Sequence, residues 1–264
     1  MADSHLHLQE RTDPTPKSKP QPSKSAIPVP FAYYPSDDGT DENLLILFHG
    51  LGDTHIPFAK LGRTLKLPQT AILALRATEQ IPFFDQGAYQ WYPAFDNLGD
   101  QIQHPNPTHA LHWLSSLLSL LTTSLHWSPH QIHLFGFGQG GSIAAELAIK
   151  FWKDQLSSSS SNTSLGSLIA ISAPLISHPT LQTPSPTPVL FVHRPQPSDD
   201  ALPPSTLGSY KKGFQTVTEV KLGANKSGMP SSREEMEPIM RFWSERLGKR
   251  RMDGLYEVMS GTAS

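Results

Sequence analysis

Short apolar runs that end at turn residues recur along the chain. The runs LLILFHG at 44–50 and TAILALRA at 70–77 come first, and both are almost continuously apolar. Apolar runs of this length are typical of strands that are covered on both faces of a sheet. Three later runs predict further strands: LIAISAPL at 168–175, PVLFVHR at 188–194 and FQTVTEVKL at 214–222.

Segments with helical periodicity separate these runs. A helix is expected around 57–67, where Pro57 suits a first helical turn. From Thr108 onward leucines recur at spacings of three and four residues, which predicts a helix with one apolar face. The leucines on that face are Leu114, Leu117, Leu118, Leu121 and Leu125.

The last predicted helix starts at Ser231 or Ser232 and extends to about Leu247. Each of these serines has a glutamate three residues further on, as in a capping box. Because proline lacks the backbone N–H that a helix interior uses, we expect Pro238 to kink this helix or to move its start.

The alternation of strands and helices predicts the fold class. It favours a single α/β domain with a mostly parallel central sheet and helices on both faces. In such sheets ligands bind at the carboxyl ends of the strands. The HGLGD turn at 49–53, the glycine-rich turn at 136–141 and the loop after Arg194 all fall at such ends.

Polar segments without periodicity set the expected domain boundaries. Residues 1–30 are rich in Pro, Ser, Lys and Thr, and we expect them to form a disordered tail. The folded domain is expected over 31–247, with a loose tail over 248–264. The serine-rich segment LSSSSSNTSLG at 156–166 is expected to be a flexible surface loop.

Composition narrows the function classes. The 264 residues carry a formal net charge of -2, which gives no electrostatic reason to expect nucleic acid or an anionic membrane as a partner. The absence of cysteine excludes disulfides, cysteine-ligated zinc and a cysteine nucleophile. No apolar run reaches the roughly 18–20 residues of a membrane span, and no secretory signal is visible at the start.

We therefore expect a cytoplasmic protein, with a nuclear location as a further possibility and no stable membrane insertion. The sequence indicates neither a cofactor nor an oligomeric state. His109 and His112 lie three residues apart at the start of a predicted helix, a spacing compatible with a metal ion. No further ligand pairs with them, so we expect no metal site.

The stretch LFGFGQGGS at 134–142 predicts a strand, a glycine-rich turn and a helix. That context is typical of the G-x-S-x-G nucleophile elbow, but Gly138 stands at the serine position. The glycines also fit a G-x-G-x-x-G dinucleotide loop, which requires an acidic residue about 20 residues further on, at the end of the next strand. Ser172, Ala173 and Pro174 end that strand, so the elbow interpretation is favoured.

Four segments together resemble one protein family. LILFHGLGD at 45–53 is similar to the family's strand and oxyanion loop, and IHLFGFGQGG at 132–141 to its G-F-S-Q-G-G elbow. GMPSSREEM at 228–236 resembles its G-x-x-H-S-S segment, and QWYPAFD at 90–96 its W-[YF]-D stretch. The family is the phospholipase/carboxylesterase group of the α/β-hydrolase fold, which includes the acyl-protein thioesterases. The resemblance spans about residues 31–247.

The resemblance implies a catalytic triad of which this chain retains one member. The nucleophile position falls on Gly138 and the general-base position on Pro230, neither of which can perform that chemistry. The acid position falls on Asp200, with Asp199 beside it, in a DALPP stretch that resembles the family's D-P-x-V-P.

The family's remaining site features also map onto this chain. The two backbone N–H groups of the oxyanion hole map to Leu51 and Gln139, and they do not depend on a serine hydroxyl. Aromatic residues of the stretch at 83–95 are expected both to pack the loop onto the body and to wall an acyl or ester pocket. Trp91 and Tyr92 are the pocket residues we name.

Other side chains could replace the missing groups. Ser142 and Ser172 are the candidate nucleophiles, although packing and backbone capping are the more common roles at such positions. His193, His49 and His55 are the candidate bases, and a structural role is the favoured interpretation for each.

Three hypotheses follow for the function. The first is a pseudo-hydrolase that binds an acyl, ester or carboxylate group of a small molecule or an acylated protein without turnover. The second is a weak or rewired ester or thioester hydrolase with a substitute nucleophile. The third is a non-catalytic scaffold whose protein partner docks on the proline-rich tails.

Overall fold

The structure is a computed structural model that describes residues 18–82, 87–96, 98–158 and 163–249. Its strands are β1 Phe31–Tyr34, β2 Asn43–Phe48, β3 Thr70–Leu75, β4 Glu79–Gln80, β5 Tyr89–Gln90, β6 Ile132–Phe137, β7 Ser167–Ile171, β8 Val189–His193 and β9 Val217–Lys221. Its α-helices are α1 His55–Thr64, α2 Thr108–Thr123, α3 Gln139–Ser157, α4 Ser205–Gly213 and α5 Arg233–Arg246.

Seven strands form the central sheet in the order β1-β3-β2-β6-β7-β8-β9. Strand β1 runs antiparallel to β3, and the other five pairs are parallel. The predicted α/β fold class is thereby confirmed. Phe48 at the end of β2 pairs with Gly136 near the end of β6, so the HGLGD turn and the glycine-rich turn emerge at the same edge of the sheet.

Each face of the sheet carries its own apolar core. Within β2, Leu44 and Ile46 contribute to the core that also contains buried residues of α2, α3 and α4. Leu45 and Leu47 point into the opposite core, which contains residues of α1 and α5. This two-sided burial explains why the strand sequences are continuously apolar.

Helix boundaries follow the local capping chemistry. Helix α1 begins two residues before Pro57, where Thr54 caps it by accepting a hydrogen bond from the N–H of Ile56. Ser232 caps α5 and accepts from the N–H of Glu235, as the capping pattern predicts. Pro238 lies inside α5 without moving its start. Helix α4 was not predicted, because its sequence STLGSYKKG has no apolar periodicity.

The expected disordered tail over residues 1–30 is wrong for its second half. Ile27 and Val29 are buried in the core, and the N–H of Lys19 donates to the carboxylate of Asp41 at 2.9 Å. Apolar and polar contacts together hold this proline-rich segment against the body, since Lys19 Nζ also donates to the carbonyl of His126 at 2.7 Å. Residues 1–17 and 250–264 lie outside the described part of the chain.

Three glycines let helix α3 approach the sheet closely. A Cβ at Gly140 would overlap the backbone carbonyl oxygens of Phe48 and His49, and one at Gly136 would overlap the backbone of Gly140 itself. A Cβ at Gly141 would lie 2.6 Å from the Cβ of Ala173. The first turn of α3 is therefore held directly against the end of β2, where the HGLGD turn begins.

A buried ion pair fixes the loop between β9 and α5. Arg194, which is 1% exposed, donates from Nη1 to Glu235 Oε1 at 2.8 Å and to the carbonyl of Gly223 at 2.9 Å. Glu235 also accepts from the N–H of Ser231 at 3.0 Å through Oε2. Together these contacts tie both ends of the segment that carries Pro230.

None of the helices that the structure describes has the length and apolar character that a membrane crossing requires.

The close approach of α3 predicts the effect of adding one methyl group. Gly140→Ala should lower the free energy of unfolding by about 1–3 kcal/mol or more, because the new Cβ meets rigid backbone. Gly208→Ala is the matched control, since Gly208 is exposed in α4 with no atom near its Cβ position. Urea unfolding should show no loss for Gly208→Ala, and equal effects of the two substitutions would contradict the packing argument.

The buried ion pair predicts an acid-dependent loss of stability. The hydrogen bond from Arg194 and that from the N–H of Ser231 lower the pKa of Glu235 to about 2, from a usual value of 4.5. A carboxylate whose pKa is lower in the folded than in the unfolded state stabilises the fold at pH values above the unfolded pKa. This contribution is lost as the pH falls from about 4.5 to about 2. Glu235→Gln should be less stable than the wild type at pH 6, and the difference should shrink across that window.

Urea unfolding at several pH values would measure this difference. Glu237→Gln is the matched control, because Glu237 pairs with Arg241 at 2.8 Å while both side chains are exposed. The control should stay close to the wild type at every pH. A difference for Glu235→Gln that does not change with pH would contradict the assignment.

Candidate active site

Gly138 occupies the turn between β6 and α3 in a conformation typical of an elbow. Its backbone angles are φ 51° and ψ -123°, which strain any residue with a side chain. The N–H of Gly138 donates to the carbonyl of Ile171 at 2.8 Å, and its carbonyl accepts from the N–H of Ser142 at 3.0 Å. No atom lies within 4 Å of its Cβ position, so the turn has room for a side chain that it lacks.

The HGLGD turn places backbone donors beside this elbow. The N–H of Gly52 donates to the carbonyl of Tyr89 at 2.9 Å, and that of Asp53 to the carbonyl of Gly50 at 3.3 Å. Within the described ranges, the N–H groups of Leu51 and Gln139 have no acceptor. These are the two donors that the sequence resemblance assigns to an oxyanion hole, and that role stays a prediction.

Both ring nitrogens of His49 are occupied by the protein itself. The N–H of Ala77 donates to Nε2 at 3.0 Å, so Nε2 must be the acceptor and Nδ1 carries the proton. Nδ1 then donates to the carbonyl of Gly50 at 2.7 Å. Burial lowers the pKa of His49 to about 4, so the ring is neutral and unavailable as a base.

Gln139 links the elbow to the aromatic stretch at 90–96. Its amide nitrogen donates to the carbonyl of Tyr92 at 2.7 Å, and its amide oxygen accepts from the N–H of Trp91 at 2.7 Å. The indole of Trp91 donates to the carbonyl of His49 at 2.9 Å and stacks on Trp113.

Trp91 and Tyr92 thus position the site from within the core. Their exposed fractions are 1% and 7%, so each packs mainly against protein. Their role as pocket residues stays a prediction. Phe83 and Phe84, which belong to the longer aromatic stretch at 83–95, lie outside the described residues.

Asp200 is held by donors that the protein supplies. The hydroxyl of Ser172 donates to Oδ2 at 2.9 Å, the N–H of Gly228 donates to Oδ2 at 3.2 Å, and the hydroxyl of Ser198 donates to Oδ1. Partial burial raises the pKa of Asp200, but the bonds from Ser198, Ser172 and Gly228 outweigh it and hold the pKa below its usual value. The carboxylate is therefore ionised and well supported.

Hydrogen bonds join segments next to the three positions that the resemblance assigns to a triad. Gly138 bonds to the residue before Ser172, Ser172 bonds to Asp200, and Asp200 bonds to Gly228, two residues before the buried Pro230. This connection supports the residue correspondence, and the roles themselves stay predictions.

The other candidate bases are engaged elsewhere or covered. His193 pairs through Nε2 with Glu219 on the edge strand β9 at 2.9 Å and stacks on Phe191, with ring centroids 5.0 Å apart. His55 lies at the start of α1, where burial and the nearby charge of Arg76 lower its pKa.

The candidate nucleophiles are poorly activated. Ser142 is buried, and its hydroxyl donates back to the carbonyl of Gly138 at 3.3 Å. Ser172 has a positive φ of 47°, which strains a residue with a side chain, and its hydroxyl faces Asp200. A carboxylate with a lowered pKa is a weak base, so it does little to deprotonate Ser172.

The sequence did not predict the residues that support the acid loop, which is the loop after β8 that carries Asp200. Ser198 and Arg194 hold that loop through contacts with residues 28 to 41 positions away. Only the position of Arg194 at the end of a buried strand could have drawn attention to it, because charged residues are rarely buried without a partner.

Comparisons with known proteins agree with the fold and the motifs. The profile of the Phospholipase/Carboxylesterase family matches residues 35–246. An uncharacterized hydrolase of Mycosarcoma maydis is 38% identical over 233 residues, which cover 86% of each chain. An uncharacterized hydrolase of Schizosaccharomyces pombe is 32% identical over 115 residues, covering 40% of this chain and 47% of that one.

Solved structures share the same architecture at low sequence identity. Esterase PE8 superimposes with a TM-score of 0.68 at 21% identity, covering 84% of this chain and 100% of that one. Acyl-protein thioesterase 2 of Zea mays gives a TM-score of 0.64 at 19% identity, with coverage of 83% and 100%. The profile match covers most of the folded chain, and the chain therefore belongs to the phospholipase/carboxylesterase family.

Proposed function

We propose that this protein is a pseudo-hydrolase, which binds an acyl, ester or carboxylate group in its cleft without turning it over. One observation carries the proposal. The N–H groups of Leu51 and Gln139 are free of acceptors in the described chain, while Gly138 beside them offers no nucleophile. The site thus keeps groups that stabilise a negative oxygen and lacks the group that would attack.

The two groups that the site lacks are the nucleophile and the general base. Attack on an ester requires a hydroxyl or thiol and a neighbouring base to take its proton. Gly138 and Pro230 supply neither group, and both ring nitrogens of His49 are already bonded. Asp200 is ionised, but the residues that bond to it are Ser172, Ser198 and Gly228, and none of these is a histidine that it could orient.

The remaining donors suit a bound carboxylate or carbonyl. Backbone N–H groups at the start of a helix favour a negatively charged oxygen, because the helix dipole adds to the hydrogen bonds. Gln139 is the first residue of the 19-residue helix α3. A carboxylic acid or ester that places an oxygen there would bind, and no covalent step would follow.

A rewired hydrolase is the second candidate, because Ser172 hydrogen-bonds to Asp200 next to the elbow. Its strained backbone is the kind of feature found at functional sites. Oxyanion donors alone retain about 10³–10⁴-fold of catalysis in triad mutants of other enzymes, so slow turnover would not require a complete triad.

Labelling and binding together separate these two candidates. A serine-directed fluorophosphonate should leave the protein unlabelled, and butyrate should raise the midpoint of thermal unfolding in a saturable manner because it binds the folded state. Hydrolysis of p-nitrophenyl butyrate should be unchanged by Ser172→Ala. If the probe labels the protein and Ser172→Ala abolishes that labelling, the rewired enzyme replaces the proposal. If butyrate does not bind, the proposal is overturned altogether.

Restoring the missing groups tests whether the scaffold is otherwise complete. Gly138→Ser combined with Pro230→His should hydrolyse p-nitrophenyl butyrate measurably, whereas Gly138→Ser alone should gain little because its hydroxyl lacks a base. The serine should also lower the free energy of unfolding by about 1–3 kcal/mol, since φ at this position is 51°. A well-folded but inert double variant would show that Pro230 or Asp200 does not occupy the assigned position.

A further inference from the structure

Arg76 lies beside the HGLGD turn at the carboxyl edge of the sheet. Phe48 and Leu75 are the last paired residues of β2 and β3, so His49 and Arg76 follow them side by side. The N–H of Ala77 bonds to the ring of His49 at 3.0 Å, which fixes the backbone on either side of Arg76 to that turn.

The guanidinium of Arg76 is held in place by an aromatic ring. Its central carbon lies 4.1 Å from the ring centroid of Tyr89. The carbonyl of Tyr89 accepts from the N–H of Gly52, and Tyr89 also pairs with Asp53. Tyr89 therefore connects Arg76 to the residue next to Leu51, one of the two free donors of the site.

This cation makes no ion pair with a carboxylate in the described part of the chain. Its Nε is covered and has no acceptor among the described residues. Asp53 is on the same turn, and its Oδ1 accepts from the N–H of Thr54 at 2.7 Å.

His55 adds a second polar atom without a partner to the same region. Its Nδ1 is covered and makes no hydrogen bond within the described residues. His55 follows the HGLGD turn by two residues, and that turn is joined through Gly52 and Asp53 to Tyr89, on which Arg76 lies. The partly buried guanidinium and the ring of His55 therefore both have donor or acceptor atoms without a partner in the described chain.

We infer that Arg76, with His55 beside it, forms an anion subsite that receives the distal carboxylate of a dicarboxylic acid or of its monoester. The inference rests on the proposed function, in which the N–H groups of Leu51 and Gln139 bind the first carboxylate or carbonyl. The link through Tyr89 attaches both subsites to the HGLGD turn, and the length of ligand that spans them is the quantity the titration measures.

The chemistry of arginine supports a carboxylate at this place. A guanidinium presents donors in a planar fork that matches the two oxygens of a carboxylate. The contact with the ring of Tyr89 restrains the guanidinium before the ligand arrives, which lowers the entropy lost on binding. Arg76 is only half-buried, so its terminal donors can reach a ligand from solvent while the surrounding protein strengthens the charge interaction.

Calorimetric titration with two matched series of acids tests the subsite. The probes are the linear dicarboxylates from succinate to suberate and the monocarboxylates with the same numbers of carbon atoms, at pH 7 and low ionic strength. One dicarboxylate should bind about tenfold or more tightly than its monocarboxylate counterpart, as expected for a charge-assisted pair. The preferred length would report the separation of the two subsites.

Variants identify the group responsible for that preference. Arg76→Gln should reduce the dicarboxylate preference to less than about threefold while monocarboxylate affinity stays unchanged. Arg76→Lys should keep part of the preference, because it keeps the charge and loses the fork. Arg63→Gln is the matched control, since Arg63 also stacks on a tyrosine, with its central carbon 4.7 Å from the ring centroid of Tyr34, and should leave both affinities unchanged.

Each remaining outcome overturns a stated claim. If monocarboxylates bind and no dicarboxylate binds more tightly, the subsite is wrong while the proposed function stands. If neither series binds, the proposed function fails and the subsite with it. A preference that survives Arg76→Gln, or that Arg63→Gln removes, would show that another group recognises the second carboxylate. Circular dichroism of Arg76→Gln and Arg76→Lys establishes that both variants are folded.

Discussion

The contact between the first turn of α3 and the end of β2 determines the rest of the site. Gly140 has no side chain, so the helix backbone lies directly against the carbonyl groups of Phe48 and His49. This contact places the N–H of Gln139 next to the turn that carries Leu51. It also lets the side chain of Gln139 reach the backbone of Trp91 and Tyr92. A single close approach thus brings together the helix, the donor turn and the aromatic stretch.

Under the proposed function, the groups that support the site are separate from the groups that would react. The elbow conformation at Gly138 survives without a side chain, and glycine reaches a φ of 51° with little strain. The donors at Leu51 and Gln139 belong to the backbone and do not require the nucleophile. Asp200 stays ionised through its bonds to two serines and one N–H group. The contacts that hold each of these parts do not involve a side chain at position 138.

Local sequence patterns predicted the parts of the fold that depend on local physics. The apolar stretches predicted β2, β3, β6, β7 and β8, which are almost completely buried on both faces, and the capping serine before α5 marked a helix start. The burial of Ile27 and Val29, the support of Asp200 by Ser198 and the pairing of Arg194 with Glu235 were not predicted. These contacts join segments far apart in the sequence or depend on a few apolar residues in a polar stretch, and neither case leaves a periodic signal.

The hydrogen bonds of Asp200 have a consequence for how the family can change. In this chain the acid loop is held by Ser172, Ser198 and Gly228, so its shape does not rely on a histidine at position 230. Under the proposed function, a lineage could exchange a histidine at this position for proline without losing the loop. Loss of catalysis would then be a change in a few side chains, and a short mutational route back to an enzyme would remain.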